Sequence, residues 1–137
     1  MAKLLLVDDD PVLLMLLTRL LNRIGHEVIA VENAAACLEK AAAEHFDMII
    51  TDVMMPGMDG YELTRRLREN PATREVRILI LTSRLQGPDD DLAMAAGADA
   101  YDMKSVNLER LNTKIAGLLG AVQKKFPVSD PKDLGDP

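Results

Sequence analysis

The sequence has few of the residues that stack on bases or close disulfides. It contains no tryptophan, and aromatic residues make up 3% of its 137 positions. So low an aromatic content argues against a surface on which nucleic-acid bases stack. The one cysteine, Cys37, can form no disulfide within the chain, which is typical of proteins from a reducing compartment.

Positive charge and long apolar runs are also scarce. The chain has 22 acidic and 16 basic side chains, a net charge of −6, which disfavours binding to nucleic acid through a basic surface. The apolar run at 4–7 is too short for a signal-peptide core, and the run at 12–17 is too short to span a membrane. We therefore predict a cytoplasmic protein with no direct contact to nucleic acid or membrane.

Apolar residues are abundant, at 48% of the chain, which is enough for one domain with a full core. They gather in five short runs that are rich in Val, Ile and Leu and are separated by segments of helix length. The predicted strands are LLLV at 4–7, VIAV at 28–31, MII at 48–50, VRILIL at 76–81 and AYDM at 100–103. This alternation predicts an α/β protein with a doubly wound parallel sheet and helices on both faces.

Capping residues set the limits of the predicted helices. The helices are predicted at 11–24, 34–44, 60–69, 89–96 and 108–120. The N-terminal signals are Asp10, Asn33, Asp59, Pro88 with Asp89, and Asn107, and the C-terminal signals are Gly25 and Gly97. The C-terminal stretch KKFPVSDPKDLGDP (124–137) contains three prolines and no periodic pattern of apolar residues. We predict a domain at 1–121 and a flexible tail or linker stub at 122–137.

The first predicted helix is apolar on nearly every side in its first two turns. Deep burial would explain this pattern, and so would an exposed patch that docks a partner helix. We hypothesise that a patch around Leu14 contacts a partner.

Polar residues follow four of the five predicted strands, where each strand ends. They are Asp8 and Asp9, Asp52, Thr82 and Ser83, and Lys104. In an open parallel sheet, ligands bind outside the carboxyl ends of the strands. Three carboxylates brought together there would repel one another, and a hard divalent cation such as Mg²⁺ relieves that repulsion.

Four stretches, in this order and spacing, resemble the response regulator receiver domain of two-component signalling, as found in single-domain chemotaxis regulators. They are LLLVDDDP (4–11), DMIITDVMMPGMDG (47–60), ILILTS (78–83) and AAGADAYDMK (95–104). The resemblance covers 3–120 and implies a flavodoxin-like (βα)5 fold. Its strand order, 2-1-3-4-5, is known for the family and does not follow from the sequence pattern.

The resemblance also implies a metal-dependent phosphorylation site. Asp52 corresponds to the phosphoacceptor, which takes a phosphoryl group from a histidine kinase or a histidine phosphotransfer protein. Asp9, Asp52 and the backbone carbonyl of Met54 correspond to the ligands of Mg²⁺, which Mn²⁺ could replace, and Asp8 acts through a metal-bound water. Such a chain is not an enzyme, although it assists its own phosphorylation and dephosphorylation.

Further residues correspond to the switch that reads the phosphoryl group. Thr82, Ser83 and Lys104 match positions that bind the phosphoryl oxygens, and Tyr101 matches an aromatic residue that turns inward with Thr82. Output would then reach a downstream protein target or an output domain outside this chain.

Three positions should tune the switch. Met54 and Arg84 flank the site, and Met54 has no polar group to orient an attacking water, so we predict slow self-dephosphorylation. Ser105 stands where the family has a proline in a cis peptide bond. Because a cis bond before a residue other than proline costs about 2.5–4 kcal/mol, we predict a trans Lys104–Ser105 bond.

Three other functions fit parts of the pattern. The replacement of proline by Ser105 keeps open a degenerate receiver, which would act as an interaction module without phosphorylation. The run Asp8-x-Asp10-x-Val12 fits a haloacid-dehalogenase-like phosphatase, but the further acidic motif of that family is missing and Asp52 would have no role. A flavin-binding module would need a hydroxyl-rich loop where this chain has three acids.

Overall fold

The computed structural model describes residues 2–82, 87–103 and 108–123. Strands and helices alternate along the chain five times. The strands are β1 (Lys3–Val7), β2 (Glu27–Val31), β3 (Met48–Asp52), β4 (Arg77–Thr82) and β5 (Ala100–Met103). The helices are α1 (Pro11–Arg23), α2 (Ala34–Ala43), α3 (Gly60–Glu69), α4 (Gly87–Ala96) and α5 (Leu108–Gln123). Every predicted element is present, with its limits within three residues of the prediction.

The five strands form one parallel sheet in the order β2-β1-β3-β4-β5, so the predicted fold and strand order are confirmed. The central strands are buried almost throughout, whereas the edge strands β2 and β5 are partly exposed. Alternate side chains of the central strands enter two cores. One core holds Leu5, Ile49 and Ile80 under α2, α3 and α4, and the other holds Leu4 and Ile50 under α1 and α5.

The predicted helix caps form where the structure describes them. Asp10 accepts hydrogen bonds from the amides of Val12 and Leu13, while Asn33 and Asp59 each accept one from the amide three residues later. Asn107 lies outside the described residues. Gly25 and Gly97 adopt φ values of 107° and 105°, a left-handed conformation that glycine tolerates best at the end of a helix.

Two helices are longer than predicted. Helix α4 begins at Gly87, two residues before the predicted start, because a proline is tolerated in the first helical turn. Helix α5 continues to Gln123 because Leu118 and Leu119 pack against the core under α1 and α5. Glycines in a helix interior cost only about 1 kcal/mol each relative to alanine, so Gly117 and Gly120 do not end it.

The hypothesis of an exposed patch around Leu14 is wrong about Leu14 itself, which is buried. Leu14 is only 5% exposed, and Leu14, Leu17 and Leu21 form the face of α1 that packs into the core. This spacing of three and four residues places them on one side of the helix. The exposed apolar side chains of α1 are instead Val12, Met15 and Leu16, at 66%, 53% and 39% exposure.

Candidate functional site

The strand register brings three strand ends next to one another. Val7, the last residue of β1, pairs with Thr51 of β3, so Asp8 leaves the sheet beside Asp52. Asp52 in turn pairs with Leu81 of β4, and Thr82 is the next residue along that strand. The site therefore lies at the carboxyl edge of the sheet, where the sequence predicts it.

Three carboxylates converge at this edge. One oxygen from each of Asp8, Asp9 and Asp52 lies within 4.8 Å of the other two. Asp8 and Asp52 are 6% and 5% exposed, whereas Asp9 is exposed to solvent. Mg²⁺ prefers carboxylate oxygens and keeps several waters, so two buried carboxylates and one exposed to solvent suit it. The acidic trio fits a magnesium ion, as predicted.

Local hydrogen bonds hold the two buried carboxylates. The Asp8 carboxylate accepts a bond of 3.0 Å from the amide of Asp10, and the Asp52 carboxylate accepts one of 2.8 Å from the amide of Val53. The Thr51 hydroxyl donates to the carbonyl oxygen of Asp52 at 2.9 Å. Asp10 was predicted only as a helix cap. Aspartate side chains commonly accept a hydrogen bond from the amide two residues later, so the bond between Asp8 and the Asp10 amide could have been predicted from the sequence.

The other described candidates lie near this edge in different settings. Thr82 is 6% exposed at the end of β4. Met54 is 67% exposed in the loop after β3. Tyr101 is half-buried in β5, pairs with Ile80 of β4 and packs against the core under α2, α3 and α4. The remaining predicted residues are Ser83, Arg84, Lys104 and Ser105, which lie outside the described residues. The trans Lys104–Ser105 bond stays a prediction.

An ion pair between β5 and α5 was not predicted. Asp102 of β5 is 5% exposed and accepts a bond of 2.7 Å from the guanidinium of Arg110 on α5. Arg110, with smaller help from the amide of Met103, holds the pKa of the Asp102 carboxyl below its ordinary value. The pair joins the last strand to the last helix. The acid within the otherwise apolar run AYDM at 100–103 is the feature of the sequence that could have indicated this ion pair.

Cys37 has no features of a reactive thiol. It is fully buried in the core under α2, α3 and α4, and burial raises its pKa to about 12. Since the thiolate is the nucleophilic form, this cysteine is inert.

Among the described residues, no helix combines the length and the apolar character needed to cross a membrane.

The sequence profile of the response regulator receiver domain matches residues 4–116. The chain is 34% identical over 119 residues to Protein PilH of Pseudomonas aeruginosa, which covers 87% of this chain and 98% of PilH. It is 36% identical over 114 residues to the sensor protein EvgS of Escherichia coli, which covers 83% of this chain but only 9% of EvgS. The likeness to EvgS is thus confined to a small part of that protein.

Solved structures show the same fold. One is the receiver domain of the sensor histidine kinase PA1611 from Pseudomonas aeruginosa, with a magnesium ion coordinated in its active-site cleft. It superposes with a TM-score of 0.80 at 28% identity, covering 87% of this chain and 98% of the other.

Proposed function

The chain belongs to the response regulator receiver family, and we propose that its Asp52 accepts a phosphoryl group from a phosphohistidine. The donor would be a histidine kinase or a histidine phosphotransfer protein. The observation that supports this most directly is the convergence of Asp8, Asp9 and Asp52 within 4.8 Å. In this role the chain is a phosphoacceptor and not an enzyme that turns over many substrates.

The transfer exchanges one bond for another. A carboxylate oxygen of Asp52 attacks phosphorus, a P–O bond forms, and the P–N bond to the donor imidazole breaks. Asp9, Asp52 and the carbonyl of Met54 would hold Mg²⁺ directly, and Asp8 would hold it through water. When bound, the ion neutralises the charge on the phosphoryl oxygens as they approach the carboxylates. The hydrogen bond that the Val53 amide donates to the Asp52 carboxylate keeps this carboxylate oriented for attack.

Thr82 and Lys104 would bind the phosphoryl group once it is on Asp52. An aspartyl phosphate adds charged oxygens that a hydroxyl and an ammonium bind through charge-assisted hydrogen bonds. The position of Thr82 one residue beyond the strand partner of Asp52 supports its part in this. Ser83 would assist, and Tyr101 would turn inward with Thr82. Such a local event can shift a surface between two states.

The phosphorylated unit would be the domain at 1–121, acting in the cytoplasm. Its output would pass to a downstream protein target or to an output domain outside this chain. The second candidate function is an interaction module that works without phosphorylation, and Ser105 in place of the family's proline is the feature that favours it.

Intact-protein mass spectrometry after incubation with acetyl phosphate separates these candidates. We expect one added phosphoryl group on the wild-type chain, and no adduct on Asp52→Asn or when a chelator removes Mg²⁺. No adduct on folded wild-type protein, together with no steady release of phosphate, would support the interaction module. Steady release of phosphate without an adduct would instead indicate rapid hydrolysis.

Met54 should lengthen the lifetime of the phosphoryl group. Its exposed thioether side chain, two residues after Asp52, offers no strong hydrogen bond to an attacking water. We expect Met54→Asn to shorten the half-life of the aspartyl phosphate severalfold, measured after removal of the donor. Met94→Asn, at a methionine 54% exposed on α4, serves as the control and should leave the half-life unchanged. A Met54→Asn half-life equal to or longer than that of wild type would contradict this role.

A further inference from the structure

Helix α3 begins against the backbone of Asp52. Gly60, its first residue, is buried, and its amide donates a hydrogen bond of 2.9 Å to the carbonyl oxygen of Val53. The preceding residue, Asp59, caps the helix through the amide of Glu62 at 2.9 Å. The loop that leaves Asp52 therefore returns within eight residues to contact the peptide from which it started.

This contact leaves no room for a side chain at position 60. A Cβ atom added to Gly60 would lie 2.2 Å from the carbonyl oxygen of Asp52 and 3.1 Å from both its carbonyl carbon and the Cα of Val53. Contacts of Cβ below 3.0 Å are essentially never seen, and these neighbours are backbone atoms that cannot rotate away. Gly60 is not among the glycines with positive φ, so the requirement concerns space and not backbone conformation.

A side chain at position 60 would have to displace either the start of α3 or the end of β3, where Asp52 is the last residue. Leu63 and Leu67 of α3 are 0% and 1% exposed in the core, and the Thr64 hydroxyl bonds the Gly60 carbonyl at 2.8 Å. A displaced α3 would have to unpack both leucines, at a few kcal/mol for each large buried side chain. A side chain at position 60 would therefore strain the contact between the start of α3 and the Asp52 peptide.

Movement of that peptide would reach the carboxylate trio. The Asp52 carbonyl accepts the bond from the Thr51 hydroxyl, and the Asp52 carboxylate accepts the bond from the Val53 amide. A shift of the Asp52 carbonyl disturbs both. It also changes the position of the Asp52 carboxylate relative to Asp8 and Asp9, which follow another strand.

We propose that Gly60 is a positioning residue for the phosphorylation site. Its missing side chain lets α3 rest directly on the Asp52 carbonyl, and this contact sets the distance of the Asp52 carboxylate from Asp8 and Asp9. The magnesium affinity and the rate of phosphorylation then depend on it. The proposal rests on the proposed function, because Asp52 is taken as the phosphoacceptor.

The test compares Gly60→Ala with Gly117→Ala, at an α5 glycine where an added Cβ would meet nothing within 4 Å. Mg²⁺ affinity is measured by calorimetric titration, and the rate of labelling by acetyl phosphate is measured at saturating Mg²⁺. Misplacement by about 1 Å can cost roughly 100-fold in rate, so we expect Gly60→Ala to lose 10- to 100-fold in labelling and to bind Mg²⁺ more weakly. Gly117→Ala should match wild type in both.

A folded Gly60→Ala with wild-type Mg²⁺ affinity and labelling rate overturns the proposal, and so does one that loses thermal stability alone. If Gly60→Ala does not fold, Thr51→Val removes only the hydroxyl bond to the Asp52 carbonyl. It should weaken Mg²⁺ binding and labelling in the same direction but less, and an unchanged site would overturn the proposal. If wild-type protein takes no label, the proposed function fails while the Mg²⁺ comparison still tests positioning.

Discussion

Asp9→Asn is expected to weaken Mg²⁺ binding by at least about tenfold and to slow labelling by acetyl phosphate at limiting Mg²⁺. Asp9 supplies one of the three carboxylates that lie within 4.8 Å of one another, and it is the one exposed to solvent. An amide keeps the shape of the side chain but removes the negative charge that a hard cation needs. Raising the Mg²⁺ concentration should recover part of the labelling rate, because Asp52 itself is intact.

Asp10→Asn is a matched control for this prediction. It removes the same charge from the neighbouring position, but Asp10 caps α1 through the amides of Val12 and Leu13 and lies outside the carboxylate trio. Asparagine caps a helix about as well as aspartate, so stability should hardly change. Equal losses of Mg²⁺ affinity in Asp9→Asn and Asp10→Asn would show a general effect of negative charge and would contradict a ligand role for Asp9.

Arg68→Ala is expected to lower the free energy of unfolding by about 2–4 kcal/mol. The Arg68 guanidinium donates to the carbonyl oxygens of Gly97 at 2.8 Å and Val76 at 2.6 Å, and to the carboxylate of Asp99 at 2.9 Å. These bonds join the end of α3 to the start of β4 and to the turn after α4. The side chains of Arg68 and Asp99 are only 22% and 21% exposed, so water replaces the lost bonds poorly.

Arg66→Ala tests whether this effect belongs to the network or to arginine on α3 in general. Arg66 is on the same helix and pairs with Glu62 at 3.0 Å, but its side chain is 53% exposed. Exposed pairs contribute about 0–1 kcal/mol, so Arg66→Ala should change the free energy of unfolding little. Urea denaturation of both variants measures the difference. Similar losses in the two variants would contradict the special role of the Arg68 network.

The alternation of elements and most of their limits could be predicted because the signals are local. Apolar runs of strand length predict buried strands. Asp10, Asn33 and Asp59 each act on amides two or three residues away, so their capping role depends only on nearby sequence. The strand order was not accessible in this way and came from the resemblance to a known family.

The acidic site could be predicted for a different reason. Parallel strands place their carboxyl ends at one edge, so acids that follow separate strands are expected to meet there. Asp8, Asp9 and Asp52 do meet. The roles assigned to Thr82 and Lys104 remain predictions. Lys104 also lies outside the described residues.

Other features depend on contacts between residues that are distant in sequence, and these could be found only in the folded chain. From the sequence, Leu14 could have been exposed or buried, because an all-apolar helix does not indicate which of its faces meets the sheet. In the structure, Leu14 packs into the core under α1 and α5. The bond from Arg68 to Asp99 joins residues 31 positions apart. The close approach of Gly60 to the Asp52 carbonyl arises from the path of a whole loop. The helices and strands, and the sheet edge at which the acids gather, follow from local sequence patterns. The tertiary structure decided how closely the backbone packs around Asp52, because contact distances depend on the whole fold.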